Sequence, residues 1–453
     1  MSEAPSETAV VPYIVPRADH PISRSAISPN ALKVLYRLKE AGYQGFLVGG
    51  AVRDLLMGRQ PKDFDIATNA HPEQVRDLFR NCRLIGRRFH LAHVRYGQEI
   101  LEVATFRASH TVMDEDNSVD EDSRRVLDTH GRILRDNLYG SIEEDVWRRD
   151  FTANALYYSI ADFTIWDYVG GVADARARVL KLIGDPETRY REDPVRMLRA
   201  IRFAAKLDFT IDDATAKPID TLAYMLDGVP AARLFDEVTK MFLAGSALRG
   251  FELLREHGLL AHLFPELTSA LSQATDDSGL ALIKLGLSGT DERIKADKSV
   301  TPAFLFAVLL WPAVRGQAKQ FEAMSESPIQ ALQNAWDTIS ARAQRRVALP
   351  KRFSLSAREV VSLQPRFDIR TGKRSLRLLD HPRFRAAYDF LLLRAAAGEV
   401  EQSVADWWTD IQELPTEARA AKVEAVVGDA PADPAKKKRR RSRRRSPRAA
   451  TDA

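Results

Sequence analysis

Asp63 and Asp65 stand at spacing two around Phe64. On an extended strand, residues at that spacing face the same way. Both carboxylates are therefore expected on one side, with Phe64 turned into the core. Hard oxygen ligands so placed suit magnesium, which is commonly held by one or two carboxylates plus substrate phosphates. Two such ions stabilise the attacking and leaving oxygens of an in-line displacement. An isolated pair of this kind is more often a solvated strand face or a turn. Here Gly49, Gly50 and Arg53 stand just upstream. The glycines let the backbone approach a phosphate, and the helix start after them offers free N–H groups. Arg53, on the first turn, is expected to meet a triphosphate oxygen; its alternative partner is Asp54.

Three further stretches carry chemistry. Glu102 sits among the β-formers of Leu101-Glu102-Val103-Ala104-Thr105, where an unpaired charge is costly. It either joins the metal site as a third carboxylate or lies on an exposed face, and the metal-facing reading is preferred. Arg149 and Asp150 precede the apolar run from Phe151. Arg149 can neutralise phosphates, and Asp150 can accept a hydrogen bond from a ribose hydroxyl; the alternative is a structural ion pair at a helix start. Asp193, Arg196, Arg199 and Arg202 recur at spacing three, which on a helix makes one charged face. A carboxylate acceptor beside guanidinium donors can read the hydrogen-bonding edge of a base; the bland reading is a solvated face. The histidines and Cys82 have no metal-ligand spacing. The chain has no Walker A loop and no GxSxG.

These residues need elements to place them. Ser28 and Pro29 start a helix whose apolar stripe is Leu32, Val34, Leu35 and Leu38. A strand over 45–48 runs into the glycines. His71-Pro72 opens an amphipathic helix. Residues 83–94 and 99–106 read as two antiparallel strands around Tyr96-Gly97. Residues 137–159 read as helical in their second half, and a strand over 163–168 ends at Gly170-Gly171. Beyond residue 179 helical periodicity dominates, with helices expected over 193–203, 231–243, 250–263, 302–310, 329–347 and 382–397. The fold class is α+β: an α/β head with a small mixed β-sheet, followed by a long all-helical part, which the resemblance set out below divides into neck, body and tail regions. The expected divisions are a flexible leader (1–24), the head (25–180), helical regions over 181–248 and 249–430, and a disordered basic tail (431–453); the same resemblance implies that the two helical regions are a base-selecting, RNA-binding neck and an RNA-binding body.

Composition bounds the partners. One cysteine in 453 residues forbids an internal disulfide and points to a reducing, cytoplasmic compartment. No secretory signal is evident, and the apolar run at 302–314 is shorter than the ~20 residues of a membrane span. Residues 436–448 hold ten basic side chains and no acidic one, and the rest of the chain is mildly acidic. Such a block is expected to track phosphates, with affinity falling steeply with salt. The acidic segment 113–122 reads as a mobile loop.

The motifs LVGGAVRDLLMG…PKDFDIAT, RRDFTANAL and REDPVRMLRAIRF, in that order, resemble the class II branch of the nucleotidyltransferase superfamily, which contains bacterial poly(A) polymerases and CCA-adding enzymes. The resemblance implies Asp63 and Asp65 on Mg2+, with ATP as substrate. Gly50, Arg53, Arg149 and Asp150 would contact phosphate and ribose, and Gly49 belongs to the same nucleotide-binding turn. Glu102 matches the third acidic residue of the head, and Asp150 is counted by some descriptions with the catalytic pair. Base selection falls to Asp193, Arg196, Arg199 and Arg202. The segment 84–94 and the arginine-rich C-terminus resemble the poly(A)-adding members. The implied activity is transfer of AMP from ATP to RNA 3′ ends in RNA processing and decay, by a monomer with the RNA-decay machinery as partner. CCA addition to tRNA is the alternative.

Overall fold

The computed structural model describes residues 11–86, 90–108, 126–127, 133–135 and 139–428. The N-terminal strands are β1 (Tyr13–Val15), β2 (Gly45–Val48), β3 (Asp65–Thr68), β4 (Cys82–Ile85), β5 (Leu91–Tyr96), β6 (Glu99–Thr105), β7 (Val126–Leu127), β8 (Ile133–Arg135), β9 (Leu156–Ser159) and β10 (Ile165–Asp167). Eight of them form one mixed sheet in the order β1-β10-β9-β2-β3-β6-β5-β4, while β7 and β8 pair with each other. Within the large sheet only β3 and β6 run parallel. Alternation splits the side chains between two cores. Leu47, Ile66 and Val103 point to one, and Phe46, Val48 and Ala67 to the other.

Helices α1 (Pro29–Glu40), α2 (Gly50–Leu56) and α3 (Pro72–Leu78) bury their apolar sides in the first core, and α4 (Ile142–Arg148) buries Ile142 and Val146 in the second. Ser28 caps α1 as its sequence requires, its oxygen accepting from the Asn30 and Ala31 N–H groups. A fifth helix, α5 (Gly171–Ala177), follows β10. Asp167 holds its start by accepting from the Val169, Gly171 and Val172 N–H groups at 2.9–3.1 Å.

The remainder is helical apart from β11 (Val179–Leu180) and β12 (Thr210–Ile211), a parallel pair. The helices are α6 (Pro186–Glu192), α7 (Val195–Leu207), α8 (Asp213–Leu222), α9 (Ala231–Phe242), α10 (Ala247–Glu256), α11 (Leu259–Leu263), α12 (Pro265–Gln273), α13 (Ser278–Lys295), α14 (Pro302–Ala323) and α15 (Pro328–Arg346). They continue as α16 (Lys351–Ser362), α17 (Gly372–Leu379), α18 (Phe384–Ala396), α19 (Gln402–Glu413) and α20 (Thr416–Gly428). One buried cluster runs without interruption from Val15 to Val423. The apolar run at 302–314 lies inside α14, where Leu309, Leu310 and Trp311 are buried. Among the described residues no helix is long and apolar enough to cross a membrane.

Several expectations need correction. Residues 13–15, within the expected leader, form edge strand β1, and Val15 and Ile22 are core residues. The single strand expected over 83–94 is two, β4 and β5, parted at Gly86 with its φ of 101°. The second half of 137–159 is not helical: α4 ends at Arg148 and β9 follows. There Tyr157 and Tyr158 fill opposite cores, a period-two demand that only a strand meets. The helix expected from 193 begins at Val195, and the one expected over 250–263 breaks at Gly258, which is left-handed at φ 68°. The helix at 302–310 continues through Pro312 to Ala323. The acidic segment 113–122 and the tail 431–453 lie outside the described residues.

Candidate active site

The site forms where β2 ends. Gly49 takes φ 70° and ψ −134°, a conformation essentially reserved for glycine, and its N–H donates to the Leu156 carbonyl at 3.1 Å. The chain thereby turns over the sheet end into α2. A Cβ on Gly49 would stand 3.6 Å from Arg149 Nη1, and one on Gly50 would stand 3.3 Å from Arg53 Nη2. Both glycines therefore lie against guanidinium groups.

Asp65 opens β3 opposite Val48. The parallel register Ile66–Val103 places Glu102 as its neighbour on β6, and alternation turns both to the α4 face. Phe64 is buried while Asp63 and Asp65 are exposed, although only Asp65 belongs to the strand. Protein crowds the Asp65 carboxyl despite its accessible surface. Burial, then Glu102, then Asp63 push its pKa up to about 6, with Arg149 pulling the other way. The carboxylates thus feel one another. Across the next pair of strands His93 faces Glu102, with Nε2 3.6 Å from Oε1. Among the described residues no three His, Cys, Asp or Glu side chains form a ready-made metal cage. An open set of hard, mutually repelling oxygens fits a magnesium ion that keeps waters and takes substrate oxygens.

Arg149 is held from two sides. Its Nε donates to the Tyr157 hydroxyl at 2.7 Å and its Nη2 to Asp145 at 3.0 Å, and Tyr157 donates to the same Asp145 oxygen. Burial opposes its charge, yet Tyr157 and Asp145 hold its pKa above the ordinary value. Nη1 is left beside Gly49, where a phosphate oxygen can meet it.

Arg53 departs from the expectation. It is buried and fully committed, with Nε and Nη2 on Asp54 at 2.9 and 2.7 Å and Nη1 on the Asn154 side chain. The Asp54 pairing set aside in favour of a triphosphate contact is the one the fold makes. Arg53 braces the glycine turn against the 3-10 turn at Thr152–Asn154.

Asp150 and the neck arginines form a separate, interior group. Asp150 accepts from Arg196 at 3.1 Å and from Arg199 on its other oxygen. Burial would raise its pKa, but Arg199 and Arg196 hold it below the usual carboxylate value. Arg196 also donates to Glu192 at 2.8 Å and to the Arg189 carbonyl at 2.7 Å, and Arg202 donates to Glu237 at 2.9 Å. Asp193 is not on the arginine helix. It ends α6 in extended backbone and accepts from Arg233 of α9 at 2.8 Å. The four residues expected on one charged face are thus an interior ion-pair network with Asp193 at its margin. Asp193 and Arg199 keep the most accessible side chains of the four, at 28% and 33%.

The orienting partners Asn154, Asp145, Tyr157, His93, Glu237 and Arg233 escaped the sequence reading. Asn154 lies inside the RRDFTANAL motif and was within reach. Glu237 carries no local mark, because its partner is 35 residues away.

Residues 45–181 match the Poly A polymerase head domain, 208–271 the probable RNA and SrmB-binding site of polymerase A, and 324–446 the polymerase A arginine-rich C-terminus. Poly(A) polymerase I of Salmonella typhimurium is 48% identical over 457 residues, covering 98% of this chain and 96% of its own. The chain belongs to the poly(A) polymerase family. A CCA-adding enzyme of Lactobacillus gasseri is 34% identical over 51% of this chain and 54% of its own. Among solved structures, the CTP complex of the Bacillus stearothermophilus CCA-adding enzyme superposes with a TM-score of 0.54 at 25% identity, covering 89% of this chain and 83% of its own. For a poly(A) polymerase family chain, the eight-stranded head followed by helices is therefore a fold shared with the CCA-adding branch.

Proposed function

We propose that this chain is a template-independent polynucleotide adenylyltransferase that transfers AMP from ATP to RNA 3′ ends and releases pyrophosphate. The observation that carries the reading is the match to Poly(A) polymerase I along nearly the whole chain, against a CCA-adding match confined to about half of it. On this reading residues 25–180 are the catalytic head, 181–248 the neck and 249–430 the body, and the basic tail from 431 follows RNA in the cytoplasm.

Asp63 and Asp65 hold magnesium, with Glu102 as the third carboxylate beside them. Bound there, magnesium supplies Lewis-acid stabilisation of the attacking and leaving oxygens. Gly49 and Gly50 admit the triphosphate to the backbone, and Arg149, fixed by Tyr157 and Asp145, offers Nη1 to a phosphate oxygen. Arg53 keeps that turn in place. Asp150 fastens the RRD segment to Arg196 and Arg199, and Arg202 secures the same helix through Glu237. Choice of base falls to Asp193 and Arg199, the members with the most accessible side chains. No covalent enzyme intermediate is needed.

The test is extension of a labelled RNA with each nucleotide in turn. ATP is expected to give long tails on unrelated RNAs, and Asp63→Ala or Asp65→Ala to abolish incorporation in a folded protein. Addition of C from CTP to a tRNA lacking its 3′ end would overturn the assignment in favour of CCA addition.

A further inference from the structure

Four main-chain groups between Arg148 and Thr152 are answered by one later segment of the chain. The Asp150 carbonyl accepts from the Ile183 N–H at 2.9 Å, and the Thr152 N–H donates to the Lys181 carbonyl at 3.0 Å. The Arg148 and Arg149 carbonyls both accept from Nη2 of Arg189, at 3.3 and 2.9 Å. These two carbonyls lie at the C-terminal end of α4, where helix carbonyls lack intrahelical partners and favour a cation. The first two links run from backbone to backbone. Of the four groups, only the two on Arg189 depend on a side chain.

Arg189 is not placed as a simple stabiliser would be. It is 8% exposed, and its Nε is buried without a hydrogen-bond partner, which is costly. Burial, then Arg196, work against its charge, and Glu192 and Asp150 offset them. The far end of the guanidinium is nonetheless fully used. Nη1 donates to Glu192 at 2.7 Å while Nη2 spans the two carbonyls, a forked contact that lysine cannot make. The Arg189 carbonyl in turn accepts from Arg196 at 2.7 Å, so α7 holds the residue that holds α4. Arg149 is therefore fixed at both ends. Tyr157 and Asp145 fix its side chain from within the head, and Arg189 fixes its main chain from α6.

We propose that Arg189 is a positioning residue for nucleotide binding, setting the Arg149 backbone so that Nη1 stands beside Gly49 and meets a phosphate of ATP. The proposal rests on the phosphate role given to Arg149 above. It is tested by a double-mutant cycle on ATP affinity, read by equilibrium dialysis of labelled ATP with the full-length chain and magnesium, without RNA. Arg189→Met removes the unpaired Nε and leaves Glu192 its contact with Arg196, so it is expected to fold. It is expected to bind ATP about tenfold more weakly, the scale of one displaced charge-assisted hydrogen bond. In an Arg149→Met background the same change is expected to cost less than about twofold. Arg189→Lys keeps the charge without the fork, is expected to lose about threefold, and takes the methionine variant's place in the cycle should that variant fail to fold. An equal loss in both backgrounds would mean a general structural role and overturns the proposal. Wild-type ATP affinity in a folded Arg189→Met variant also overturns it. Wild-type affinity in Arg149→Met removes the phosphate role and the proposal with it. A wild type that binds ATP yet incorporates no AMP sinks the adenylyltransferase reading alone, because the cycle is read without turnover.

Discussion

Asp65 sets how the site responds to pH. Its carboxyl stands at about 6 without metal, against about 3.9 in an unfolded chain. The folded protein therefore holds this proton more tightly, and the associated stability is full below pH ~4 and lost as pH rises through about 6. Two outcomes follow for metal-free protein in EDTA. Wild type is expected to lose melting temperature across that window, and Asp65→Asn to lose less of it; equal slopes would remove Asp65 as the cause. Magnesium is expected to raise the melting temperature at pH 8 and much less at pH 5, where the proton competes. Asp150 has the opposite sign. Its depressed pKa gives stability that is present above pH ~4 and lost as pH falls through the folded value. Asp150→Ala leaves Arg196 and Arg199 facing each other without their carboxylate and is expected to cost about 3–5 kcal/mol in urea unfolding. Asp150→Asn, which keeps acceptors, is expected to cost less. The aspartate pair was read from strand geometry, yet only Asp65 lies on β3 and Asp63 precedes it. Arg53 takes the partner named as its alternative, the adjacent Asp54, together with Asn154, which is 101 residues away and carries no local mark.

Elements were legible wherever a local rule set their ends. The Ser28-Pro29 start of α1 and the glycine stop of β2 are such cases, and the second brings the nucleotide-binding turn to the end of the sheet. Period-two burial on both faces hid β9, whose Leu-Tyr-Tyr-Ser sequence reads locally as a continuation of the preceding helix. Tertiary packing likewise carries α14 past Pro312, whose ring lies against Gly279 of α13. The meeting of α5 with the 3-10 turn after Asp150 is as tight. A Cβ on Gly171 would stand 2.1 Å from the Thr152 carbonyl oxygen, so Gly171→Ala must displace the turn that carries Asn154. Overpacking of this kind costs about 1–3 kcal/mol. We expect that loss in thermal unfolding, with slower AMP incorporation even where the variant is folded. Unchanged kinetics in Gly171→Ala would separate the turn from the site.

At the scale of the molecule, charge and core act separately. Removing residues 436–448, with their ten basic side chains, is expected to weaken RNA binding at low salt and to reduce its salt dependence, leaving single-nucleotide addition to a saturating primer nearly intact. Identical titrations at 50 and 200 mM salt would reduce the tail to a solubility device. The order of head, helices and basic tail was visible in the sequence, because composition changes along it. The depth of their union was not, since it depends on which side chains meet. The Asp150 clamp has a consequence for recombination between relatives. A head spliced onto a foreign neck at the end of the sheet brings the aspartate and abandons both arginines that answer it. The exchangeable module therefore extends at least through Leu207, the end of the helix that carries both arginines, and chimeras joined beyond that residue are the ones expected to inherit an intact clamp.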